Sequence, residues 1–123
     1  KKIKFYERKD FGKILKSKPE QGYDLFFIDG NHTDFDIIAE DFLMCQILAS
    51  ENPIIIWDDF YQDKFAIKDV VFAALKANKD FKAFLLSSRG HLFTEKNSKK
   101  PEENCGMVVM LKEEAYENLF TQS

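Results

Sequence analysis

Three observations predict an α/β layer fold with a mostly parallel sheet. Two apolar runs, residues 23–29 and 53–57, each end abruptly in acid, at Asp29 and at Asp58-Asp59. The stretch between them has the spacing of a single helix. Strand-like and helix-like segments go on alternating along the rest of the chain. Such alternation argues for helices layered on a parallel sheet. In a βαβ unit the carboxyl ends of both strands emerge at the same edge, where ligands bind in sheets of this kind.

Residues 3–6 are short, alternating and β-prone, and predict a first strand. Residues 10–18 place Phe11, Ile14 and Leu15 at helical spacing and stop before Pro19, which disfavours helix in the residue preceding it. Gln21-Gly22 reads as a turn, and residues 23–29 as a buried strand. The best helix covers 33–49, with Ile38, Phe42, Cys45 and Ala49 on one face. Thr33 is its expected cap, with Asp36 as the acidic partner of a capping box. Residues 53–57 form a second buried strand. Residues 65–78 form a second strong helix, its apolar face read as Ala66, Val70, Ala73 and Ala77.

Two further strands follow at 81–86 and 107–111. No helix separates them, so they are expected to pair as an antiparallel hairpin. The twenty residues between them contain a polar, Lys/Glu-rich stretch at 95–104 and read as a loop. The tail at 113–120 has the composition for one or two helical turns.

The 123 residues suffice for one compact domain, and no repeat or linker divides them. A composition 45% hydrophobic and 32% charged is that of a globular chain, with thirteen phenylalanines to fill its core. The net charge of −3 and the scattered basic residues predict no nucleic-acid partner. No apolar run approaches a membrane span. Cys45 and Cys105 have no partner at metal-ligand spacing, and read as reduced thiols of a cytoplasmic protein.

The run Asp24-Leu25-Phe26-Phe27-Ile28-Asp29-Gly30-Asn31-His32, a helix, and then Ile54-Ile55-Ile56-Trp57-Asp58-Asp59-Phe60 resembles the class I S-adenosylmethionine-dependent methyltransferases. The likeness is strongest to the branch with an IDG-x-H strand end followed by a DD-[YF] strand end, which contains sugar and antibiotic O-methyltransferases. It spans about residues 3–112. It implies a Rossmann-like methyltransferase sheet with a terminal antiparallel hairpin, lacking the first strands. In that register residues 3–6 correspond to the family's third strand, and 1–123 to the C-terminal part of a single, incomplete domain. One departure is large: Gly12, Gly22, Gly30, Gly90 and Gly106 are too far apart to form the family's G-x-G cofactor turn. The sheet edge where the front strands belong is expected to be open, and to meet a missing N-terminal segment or a second chain.

The resemblance also implies chemistry. S-adenosylmethionine would be the methyl donor and a small hydroxylated molecule or sugar the acceptor. Asp29, Asp58 and Asp59 would be metal ligands, His32 the general base, and Asp10 the acid that contacts the cofactor's adenine. Three carboxylates clustered in a partly dry crevice call for a cation or for raised pKa values. Oxygen-only ligation suits Mg²⁺, Mn²⁺ or Ca²⁺. Imidazole suits proton abstraction near neutrality.

Each residue also has a plainer reading. Asp29 before Gly30 can simply fix a turn. Asp58-Asp59 can start a helix or form a solvated corner. His32 can flank a helix, Asp10 can cap one, and His91 can be a loop residue. Two other functions compete with methyl transfer. One is a degenerate, non-catalytic methyltransferase-like module that serves oligomerisation. The other is a receiver-like phospho-acceptor domain, which needs a later strand-end Asp that the chain lacks.

Overall fold

The computed structural model describes residues 3–60, 65–86 and 106–121. A four-stranded sheet forms from β1 (Tyr23–Ile28), β2 (Ala49–Trp57), β3 (Phe81–Leu86) and β4 (Met107–Lys112). The helices are α1 (Phe11–Ser17), preceded by a 3-10 turn at Arg8–Asp10, α2 (Phe35–Leu48), α3 (Ile67–Ala77) and α4 (Glu113–Thr121). The sheet order is β1-β2-β4-β3, with β1 and β2 parallel and β4 antiparallel to both of its neighbours. The predicted βαβ unit and terminal antiparallel pair are both present. β4 is inserted between β2 and β3, so the later strand is interior and the earlier one takes the edge.

The core lies between one face of the sheet and helices α2 and α3. Phe26 and Ile28 of β1, Ile55 and Trp57 of β2, and Val108 and Met110 of β4 share that face through the strand register. All but the half-buried Phe26 are buried. Trp57 is fully enclosed. It stacks on Phe42 of α2 with ring centroids 5.6 Å apart, and its indole N–H donates to the Met110 sulfur at 3.0 Å.

The opposite face is covered unevenly. Phe84, Val109, Ile56 and Phe27 lie in one cross-strand row. α4 covers the β3–β4 end, where Phe84 meets Tyr116 and Phe120. At the β1–β2 end Leu25, Phe27 and Ile54 remain 60%, 55% and 39% exposed.

Several expectations are corrected. Residues 3–7 are not a strand: alternation supplies propensity only, and among the described residues no strand pairs with them. Arg8 ties this arm to α2 instead. Its guanidinium lies 2.7 Å from Asp41 and 3.2 Å from Glu40, and donates to the Ile37 carbonyl at 3.0 Å. The cap of α2 is Asp34 rather than Thr33, its carboxylate accepting from the Asp36 and Ile37 N–H groups. β2 starts at Ala49, not at 53, because an irregularity in the β1–β2 register absorbs the intervening residues, and Pro53 sits within it. α3 starts at Ile67 and buries Ile67, Val70, Val71 and Ala74, while Ala73 and Ala77 face solvent. Gly22 has φ +86°, and a Cβ there would fall 2.5 Å from the Ala49 backbone, so the turn before β1 requires glycine. Cys105, His91 and the loop expected at 95–104 lie outside the described residues.

Candidate metal and acid–base site

β1 and β2 run side by side in register to Ile28 and Trp57. The Asp58 N–H extends the ladder by donating to the Ile28 carbonyl at 3.1 Å. Asp29 and Asp58 therefore leave the sheet next to each other. Consecutive residues of an extended strand point to opposite faces, so Asp58 and Asp59 could not both face one point if the strand continued. Asp59 breaks the alternation with φ 60°, a left-handed backbone that Asp tolerates better than most residues. Carboxylate oxygens of Asp29, Asp58 and Asp59 all lie within 4.8 Å of one another. Asp29 is exposed and the other two are half-buried.

The cluster is electrostatically crowded. Burial, and then the charges of Asp59 and Asp29, push the Asp58 carboxyl above its ordinary value, while a hydrogen bond from backbone N–H opposes the shift. Among the described residues no lysine or arginine forms an ion pair with the three acids, and the side chain that approaches them is His32. Its Nε2 lies 3.6 Å from an Asp59 carboxylate oxygen. Three half-open carboxylates within mutual ligand distance form an oxygen-only donor set that fits a hard divalent cation.

Asn31 shapes the loop carrying His32. Its side-chain oxygen accepts from the Thr33 and Asp34 N–H groups at 2.9 and 2.8 Å. The His32 carbonyl accepts the Ala66 N–H at 2.7 Å, just ahead of α3. The imidazole stacks on Phe65, centroids 4.5 Å apart and planes inclined by 16°. Phe65 carries no sequence signal for this contact, because the two rings are brought together by chain segments 33 residues apart. Asp10 is not part of the acid cluster. It occupies the N-cap position of α1 without a side-chain cap bond, 3.9 Å from Lys13 Nζ.

Beside Asp29 a cavity of about 420 Å³ opens between α1, α2 and the end of β1. Phe11, Ile14, Phe27 and Met44 make it largely apolar, and Asp41 contributes a carboxyl. Burial raises the Asp41 pKa against the pull of Arg8. Burial and then the Asp41 charge push the neighbouring Cys45 thiol up to about 12, so it stays protonated and unreactive near neutral pH.

The chain superimposes on the O-methyltransferase from Bacillus cereus in complex with SAH, with a TM-score of 0.55, 14% identity, and coverage of 85% of this chain and 46% of that one. It superimposes on the O-methyltransferase TomG from Streptomyces achromogenes, involved in tomaymycin synthesis and solved with SAM, with a TM-score of 0.50, 17% identity, and coverage of 81% and 45%. The fold is that of the class I methyltransferases. The chain spans a little under half the length of either structure. No protein-family model and no curated protein matches it. The crowded acids thus sit at the carboxyl edge of a methyltransferase-type sheet. Among the described residues no helix is long and apolar enough to cross a membrane.

Proposed function

We propose that the chain serves S-adenosylmethionine-dependent O-methyl transfer to a hydroxyl of a small molecule or sugar, assisted by a divalent cation. One observation carries this reading: three carboxylates and an imidazole meet at the carboxyl ends of adjacent parallel strands in a methyltransferase fold. Asp29, Asp58 and Asp59 would hold Mg²⁺, Mn²⁺ or Ca²⁺. When bound, the cation lowers the pKa of an acceptor hydroxyl, and S-adenosylmethionine supplies the sulfonium methyl. His32 takes the hydroxyl proton at Nε2 and holds it beside the Asp59 carboxylate. Asp10 is assigned to adenine through the resemblance alone.

Calorimetric titration with S-adenosylhomocysteine and with Mn²⁺, followed by methyl-label transfer to a panel of catechols and sugars, tests the proposal. Binding of both, and label transfer lost in Asp58→Asn, are expected. A chain that binds neither overturns it.

A second reading, a non-catalytic methyltransferase-like module, draws on the absent G-x-G turn, the outer edge of β1, which no strand pairs among the described residues, and the exposed Leu25, Phe27 and Ile54. Under it, S-adenosylhomocysteine does not bind and the chain self-associates through that edge in sedimentation. A receiver-like sheet is all parallel, whereas β4 here runs antiparallel to both neighbours.

A further inference from the structure

We infer that Phe65 is a positioning residue for His32, fixing the plane and direction of the imidazole against the acid cluster. The inference rests on the reading of His32 as the proton acceptor and adds a residue to it. The terminal torsion of a histidine is broad and roughly two-fold, so an imidazole on an open loop samples several orientations. Here the side chain is 44% exposed, and two contacts bear on the ring. One is the Asp59 carboxylate at 3.6 Å from Nε2, and the other is the Phe65 ring. Near-parallel rings with centroids 4.5 Å apart fit the offset-stacked arrangement that aromatic pairs favour.

The backbone reinforces the stack. The first N–H groups of a helix have no partner within it. Ala66, at the N-cap of α3, directs its N–H to the His32 carbonyl. Docking the start of α3 on the His32 loop therefore places the adjacent Phe65 over the imidazole, and stacking then holds the ring with Nε2 toward Asp59. Ile67, one residue further on, is buried in the core, so the platform is anchored from below.

The test measures order at the His32 ring by ¹³C relaxation in wild type, Phe65→Ala, Phe65→Leu and Phe65→Tyr. His91, the other histidine, is removed by substitution to assign the signals. The Leu variant keeps apolar bulk at the start of α3 and guards against a fold lost in the Ala variant. A rigid His32 ring in wild type and Phe65→Tyr, with order lost in Phe65→Leu, is expected. A ring equally ordered, or equally mobile, in all of them overturns the inference.

Mn²⁺ then separates the inference from the functional reading. Paramagnetic broadening of the 29, 58 and 59 amides reports the cation, and broadening at the His32 ring reports its approach. Ring broadening that weakens in Phe65→Leu while the amides stay broadened supports the inference, and unchanged ring broadening counts against it. Amides left sharp in wild type overturn the metal reading, and ring order still decides the role of Phe65.

Discussion

The two ends of the sheet treat aspartate in opposite ways. At the end where β3 begins and β4 finishes, Asp80 lies 2.6 Å from Lys112, and Glu113 lies 3.7 Å from Lys82. Hydrogen bonding from Lys112 holds the Asp80 carboxyl below its ordinary value. At the end where β1 and β2 finish, Asp29, Asp58 and Asp59 crowd together without lysine or arginine among the described residues, and Asp58 is pushed up. Strand direction explains part of the contrast. Parallel strands deliver their carboxyl ends to one edge, so acids placed there must meet. The antiparallel pair sets the end of one strand beside the start of the other, and here a lysine on one faces an acid on the other. One end balances its charge within the chain. The other, among the described residues, leaves an excess of negative charge.

The largest break in this comparison comes from the support beneath the acid cluster. Trp57 immediately precedes Asp58 and is wholly enclosed. Trp57→Ala should cost about 3–5 kcal/mol, the range for aromatic truncation in a core, read as a lower denaturant midpoint. Both sheet ends should lose order together, because Trp57 touches α2 through Phe42 and β4 through Met110. Loss confined to the acidic end would mean that the two ends fold separately.

Mn²⁺ should come next. If the three acids hold it, Mn²⁺ at about a hundred times its Kd adds ~2.7 kcal/mol to the folded state. The rise in Tm should vanish in Asp29→Asn/Asp58→Asn and persist in Asp80→Asn. Equal stabilisation of both variants would place the cation elsewhere. Smaller again is Asp80→Asn without metal, at most about 1 kcal/mol because the pair is exposed, read by chemical denaturation at neutral pH.

How much of this was legible in the sequence follows from which interactions are local. The βαβ unit and the terminal strand pair show in apolar runs and helical spacing, and the fold contains them. The meeting of Asp29 and Asp58 follows from strand direction, and Asp59 joins them only through its left-handed backbone. The face of α3 departs from its alanine spacing because the larger Ile67 and Val71 gain more from burial than Ala73 and Ala77. The cap of α2 moved by one residue because Asn31 pulls Thr33 and Asp34 into a turn that only a folded loop reveals. A strand at 3–6 needs a partner, and propensity cannot supply one. The left-handed backbone of Asp59 and the Phe65 platform have no local signature at all.

The smallest effect separates the two ends most sharply, because its sign reverses. Asp80 has a lowered folded pKa, so the folded state binds fewer protons than the unfolded one as pH falls below the ordinary carboxylate value near 4. Its contribution is present above that value and is lost as pH falls through the lowered one. Asp58 has a raised folded pKa, so between the ordinary and raised values the folded state binds more protons. Stability there falls as pH rises, and the deficit is complete above the raised value. Asp58→Asn should therefore raise Tm slightly at pH 7 and lose that gain below about pH 4, where the native carboxyl is already protonated. Asp80→Asn should lower Tm at pH 7, and its deficit should close as acid removes the wild-type pair. Thermal melts across this range, without divalent cation, decide it. A Tm gain for Asp58→Asn that persists in strong acid would trace to packing rather than charge, and the contrast between the two ends would lose its electrostatic basis.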